Sequence, residues 1–170
     1  MRSLRIVFAV VVVALAAAAG WYFLHPRAPG GENLTVYYTK LDGTTLGSWQ
    51  VSTRTAQPGE ESAARLHDLA TYAAVQAVAG PPPDIQAVRF PSGTRVLDVA
   101  VNGPTAVVDL HMGPSDGGSF QETGEFKGLV YTLTGIPSIN AVQITIEGRT
   151  VETLPGGHLE LDEPLRRSDW

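Results

Sequence analysis

Three groupings of residues in this chain have the types and spacing that chemistry uses. His158, Glu160 and Asp162 alternate, so on a β-strand all three would face one way. One imidazole and two carboxylates in that array could hold a divalent cation, although the same spacing fits a solvated face opposite Leu159 and Leu161. Asp109 and His111 also alternate and could form an acid–base pair; they read more simply as the end of a strand running into a loop. Glu122 and Glu125 could supply the two carboxyls of a glycosidase. The positive end of a helix dipole attracts acids to such positions without any catalytic purpose, and that is the plainer account of them. His67, beside Asp68, falls off the apolar stripe of its helix and reads as solvated.

What surrounds these groupings argues against catalysis. No nucleophile elbow, paired-histidine zinc motif or calcium loop is present, and Lys127, three residues past Gly124, gives the stretch 117–127 only a superficial likeness to a phosphate loop. The 170 residues include no Cys, which excludes disulfide scaffolds, thiolate metal sites and a lipid-modified N-terminal Cys. A formal charge of −5 argues against nucleic acid as a partner. No catalytic, cofactor-binding or metal residue is therefore assigned, no cofactor is expected, and the chain reads as a non-enzyme.

The elements that would position these groups follow from periodicity. Leu34, Val36 and Tyr38 alternate with Thr35, Tyr37 and Thr39, Asp42-Gly43 marks a turn, and 48–54 is a weaker second strand. A helix is predicted over 60–79, with Leu66, Leu69, Ala70, Ala73 and Ala77 on one face, Glu61 placed to pair with Arg65, and Gly80 and three prolines ending it. Asn102-Gly103 predicts a type I′ hairpin between Val96–Val101 and Ala106–Leu110. Ser119 and Glu122 have capping-box spacing at the start of a second helix, whose apolar face is Phe126, Leu129, Val130 and Leu133. Gly124 and Gly128, one turn apart inside it, suggest close approach to another backbone; a soft first turn is the alternative. Val142, Ile144 and Ile146 form a further strand, Glu147-Gly148 turns into a short segment 149–152, and 155–170 reads as an edge strand or extended tail.

Ahead of these elements lies an apolar stretch. Residues 6–24 carry no charge over 19 positions, long enough as a helix to cross a bilayer core of about 30 Å. Arg2 and Arg5 before it keep residues 1–5 cytoplasmic and send the rest outside. A cleaved signal peptide with Ala16-Ala17-Ala18 at its end is the alternative, but the apolar run continues through Leu24, past the usual h-region. Residues 25–33 read as a Pro/Gly linker and 34–170 as one extracytoplasmic domain. Its expected class is α/β (α+β): a mixed β-sheet with two helices packed on one face, preceded by the transmembrane anchor.

Taken together, several segments resemble a GerMN domain, the module of bacterial sporulation and spore germination proteins. They are Leu34–Tyr38, the helix ending in Gly80-Pro81, the run 90–94 leading into Val96–Val101, Ala106–Leu110, Val130–Thr134, Gly135-Ile136-Pro137 and Val142–Gly148. The resemblance spans roughly residues 33–167. It implies an exported, membrane-tethered α/β module without enzymatic activity that contributes to protein assemblies, similar in fold to the ring-building modules of secretion systems, which oligomerise side by side. It supplies no catalytic residues. This chain lacks a lipoprotein Cys and carries one copy of the module.

The expected function is protein–protein assembly in the envelope, with self-association among the outcomes. The edges at Leu34–Tyr38 and Val142–Glu152 are the candidate contact surfaces, since unpaired strand edges recruit partners. The alternative is a module for cell-wall glycan or a small ligand, with Tyr37, Trp49 and Tyr72 stacking on sugars.

Overall fold

The computed structural model describes residues 32–114, 118–155, 157 and 159–170. Elements run in the order β1 (Asn33–Thr39), β2 (Leu46–Ser52), α1 (Ser62–Ala79), β3 (Arg95–Asn102), β4 (Thr105–His111), α2 (Ser119–Leu133) and β5 (Ala141–Ile146), with a closing 3-10 turn at Arg167–Asp169. The apolar run 6–24 and the linker up to residue 31 lie outside the described residues. Glu32 and Asn33, expected in the linker, belong to the fold: Asn33 opens β1, and the Glu32 carbonyl accepts from the Thr53 amide at 2.8 Å. Among the described residues, no helix is long and apolar enough to cross a membrane.

The single mixed sheet expected from the sequence is two sheets. β1 and β2 form an antiparallel hairpin, in register from Asn33↔Ser52 to Thr39↔Leu46. β3, β4 and β5 form the other sheet, β3 antiparallel and β5 parallel to β4, with α2 in the crossover that a parallel pair requires. What separates the sheets is α2, which lies along the outer edge of β1. A Cβ on Gly128 would come within 3.1 Å of the Tyr37 carbonyl oxygen, so this glycine permits the close approach to another backbone that the spacing suggests, whereas one on Gly124 would come within 2.9 Å of the Val88 side chain, so Gly124 makes room for a side chain. Thr132 then accepts the Tyr37 amide at 2.9 Å and donates to the Gly128 carbonyl at 2.7 Å, joining strand to helix through one hydroxyl.

Both helices cover one face of the three-stranded sheet. Ala106, Val108 and Leu110 on β4 are fully buried, whereas Val107, Asp109 and His111 on its other face are half-buried. Phe126, Leu129, Val130 and Leu133 of α2 join them in one core with Ala70, Ala73, Ala74 and Ala77 of α1, whose small side chains let that helix lie close to β3. Gly80 ends α1 at φ +78°, its amide shared between the Gln76 and Ala77 carbonyls.

Several local expectations shift. The 102–105 hairpin forms, but its central residues are Gly103 and Pro104. Only Gly103 has a positive φ, because proline cannot adopt one, so the turn has the glycine-first pattern of type II′. α2 is capped by Gly118, which places Glu122 at the fourth helical position; no capping box forms. α1 begins at Ser62, and Arg65 pairs with Glu32 at 2.5 Å instead of Glu61. The segment after Glu147-Gly148 keeps only the Ile146–Arg149 bridge, and the C-terminal stretch is a tail, not a strand.

That tail and α2 also close the edges expected to recruit partners. On β1, Thr132 takes the outward Tyr37 amide, and the outward Thr39 carbonyl accepts Val88 N–H at 2.9 Å. On β5, Val142 exchanges both backbone bonds with Leu165, and Ile146 exchanges bonds with Arg149. The edge at Leu34–Tyr38 is thus held at Tyr37, and that at Val142–Glu152 at Val142 and Ile146, from within the chain; the strands that end the two sheets on their other sides are β2 and β3.

Candidate functional site

α2 brings Glu122 and Glu125 to the wall of a hollow of about 350 Å³. The loop after β4 (Met112, Gly113, Pro114) and the stretch Leu154, Pro155 and Gly157 complete it, with Pro91 and Ile146. The two acids continue, one turn earlier, the stripe that holds Phe126, Leu129 and Leu133, so they are buried to 7% and 5% exposure instead of standing in solvent. Burial pushes the Glu125 carboxyl up to about 7, the neighbouring Glu122 adds to the rise, and a hydrogen bond from Gln121 opposes it. An acid that shares its proton near neutrality beside a second carboxyl can transfer a proton or hold a cation. Among the described lining residues there is no hydroxyl, amine or imidazole to serve as a nucleophile or complementary base.

Asp109 and His111 share the uncovered face of β4, as their alternation implies, but each turns to its own partner. Asp109 accepts from the Thr145 hydroxyl at 2.9 Å and the Gly148 amide at 2.7 Å. His111 Nδ1 lies 2.5 Å from Glu147 Oε1. The two residues organise the turn after β5. In the tail, Glu160 and Asp162 are exposed while Leu161 between them is buried, and His158 lies outside the described residues. Among the described residues no three candidate ligands gather around a point. His67 is exposed, 3.6 Å from Asp68.

The three aromatic residues considered for sugar stacking are dispersed. Tyr37 packs edge-on to Tyr131, with the Arg167 guanidinium 5.8 Å and 4.9 Å from the two ring centres. Trp49 faces inward from β2 against Tyr38 and the core. Tyr72, on the outer side of α1, lines a second hollow of about 290 Å³ with Leu69, Ser52, Thr53, Arg54, Arg65 and Asp68. There Arg54 bonds both Glu60 and Asp68, at 2.6 Å to the latter. Hydrogen bonds from Arg54 and the Gln57 amide hold Glu60 down at about 2, and Arg54 likewise lowers Asp68. Sequence periodicity gave no sign of this cluster, because its members come from three separate segments.

A family model described as Germane, sporulation and spore germination, matches residues 35–152. A structure of a candidate lipoprotein from Clostridium perfringens is 20% identical and aligns over 82% of this chain and 90% of that one, with a TM-score of 0.56. The first GerMN domain of the sporulation protein GerM from Bacillus subtilis is also 20% identical, over 81% of this chain and 99% of that one, with a TM-score of 0.57. The tandem GerMN domains of the same protein give 22% identity and a TM-score of 0.57, and this chain spans about half of that pair, 47% of its length. At these identities the likeness is one of fold. No curated protein sequence matches the chain.

Proposed function

This chain belongs to the Germane family of sporulation and spore germination domains, and from that premise we propose that it is a non-enzymatic, membrane-tethered assembly module on the outer side of the membrane. The uncharged run 6–24 with Arg2 and Arg5 ahead of it supports the tether and its direction. The observation that carries the assembly reading is the outer edge of β2. Its seven residues pair with β1 without a register shift, whereas β3, the outer strand of the other sheet, has a register shift between Val96 and Asp98. Because Tyr37 and Thr39 turn their backbone groups away from the hairpin, their register partners Ser48 and Leu46 do so too, and Gln50 follows at the next alternate position. A regular, polar edge of this kind accepts a strand from another protein.

A photo-crosslinker at Gln50, compared with one at Gln143 beside the sealed β5 edge, tests this in the host envelope. Ser48→Pro removes an amide that the hairpin does not use, so the fold tolerates it as edge strands tolerate proline. The expected result is an adduct at Gln50 that disappears in Ser48→Pro while the melting temperature hardly moves. Equal crosslinking at both positions, or none at Gln50, overturns the assignment.

A further inference from the structure

We propose that the hollow beside Tyr72 is a binding subsite for one or two neutral pyranose units of an envelope glycan. It requires no partner at the β2 edge, although Ser52, the last residue of β2, lines the hollow. The phenol of Tyr72 donates to the Ser52 carbonyl at 3.4 Å, which sets the ring across the gap between α1 and the end of β2. The ring and Leu69, one turn earlier on α1, form the apolar part of the lining, the kind of surface that covers the C–H face of a sugar.

The polar rim selects the class of ligand. Arg54 is held between Glu60 and Asp68, and Arg65 bonds Glu32 at 2.5 Å, so each charge at the rim has an opposite charge in contact. An anionic ligand would have to displace Glu60 or Asp68 from Arg54, and a cationic one would have to displace a guanidinium. A polyhydroxylated neutral ring needs neither exchange. Vicinal hydroxyls can accept from guanidinium N–H groups and donate to the paired carboxylate at once, without breaking the pair. At about 290 Å³ the hollow stands near the lower end of ligand pockets, about 300–1,000 Å³, which limits it to a short stretch of glycan.

The test is a titration of the full 170-residue chain in a zwitterionic, sugar-free detergent, followed by amide NMR. The probes are tetramers of N-acetylglucosamine and of glucose, with diglutamate and dilysine as charged comparators. The expected result is saturable shifts at Thr53, Leu69 and Tyr72 with one of the sugars. Tyr72→Ala should weaken that binding at least tenfold, and Tyr72→Trp should retain it. If neither sugar shifts these amides at 20-fold molar excess, if Tyr72→Ala binds as well as the parent, or if a charged comparator binds better, the proposal is wrong. Should Tyr72→Ala alter the fold, Asp68→Asn provides the second reading: an exposed position whose loss weakens sugar binding with the melting temperature unchanged.

Discussion

The hollow on α2 and the hollow on α1 use the same functional group in opposite electrical settings. Glu125 is enclosed by Met112, Leu154 and Pro155, with a second acid one turn away, and its carboxyl rises to about 7. Glu60 faces a guanidinium and a backbone amide, and falls to about 2. Glu125 is the seventh residue of α2 and Glu60 precedes α1, so neither stands in the first turn of its helix, where the dipole acts. Desolvation sets the one carboxyl and charge-assisted hydrogen bonds set the other. The lesson is that an acid's position in a helix says little about its charge until the loops that cover it are known.

The contrast sets opposite pH windows. Between about pH 4.5 and pH 7, folded Glu125 keeps a proton that the unfolded chain has released, so raising the pH across that window removes stability. Glu60 and Asp42 act in the other direction. Both remain ionised in the fold down to about pH 2, so their contribution is present above their ordinary values and is lost as the pH falls toward 2.

Three substitutions press on this comparison. Glu125→Gln removes the buried titration while keeping the shape. It should stabilise the domain by about 2–3 kcal/mol at pH 8, have little effect at pH 4, and flatten the fall between, as read by urea unfolding at several pH values. A smaller effect is expected from Gly157→Ala, whose Cβ would run into the Glu122 carboxylate. It should cost about 1–2 kcal/mol by overpacking, and an unchanged midpoint would show that Gly157 does not press on α2. The smallest change near neutrality belongs to Arg54→Gln. Its pairs are exposed, so the urea midpoint at pH 7 should hardly move. Acid unfolding should nevertheless begin at a higher pH, because Glu60 and Asp68 return toward ordinary values; an unmoved acid limb would refute the pinning.

How far the sequence foretold these regions depended on the range of the interactions. Local signals held: the alternation of 34–39, the glycine cap at 80, the hairpin near 103 and the small residues at 124 and 128 each encode geometry within a few positions. The two-sheet division did not follow from such patterns, because it depends on Thr132 meeting Tyr37 across 95 residues. The glutamate hollow was missed for the same reason, since its cover comes from 112–114 and from Leu154, Pro155 and Gly157. One signal for it was present: Glu122 and Glu125 extend the apolar stripe of Phe126, Leu129 and Leu133 toward the helix start, a place where acids facing solvent would break the stripe. The Tyr72 cluster had no comparable sign, because Arg54 and Asp68 are ordinary surface residues until the end of β2 is laid beside α1.

The flanking of β1 by β2 on one side and α2 on the other has a mechanical consequence. Tension transmitted through the backbone at Glu32 runs along β1, while the bonds that hold the strand lie across that direction on both flanks. Its rungs would therefore share the strain and yield together, not open one after another like a zip, and the strand that first feels a tug is also the one clamped from two sides.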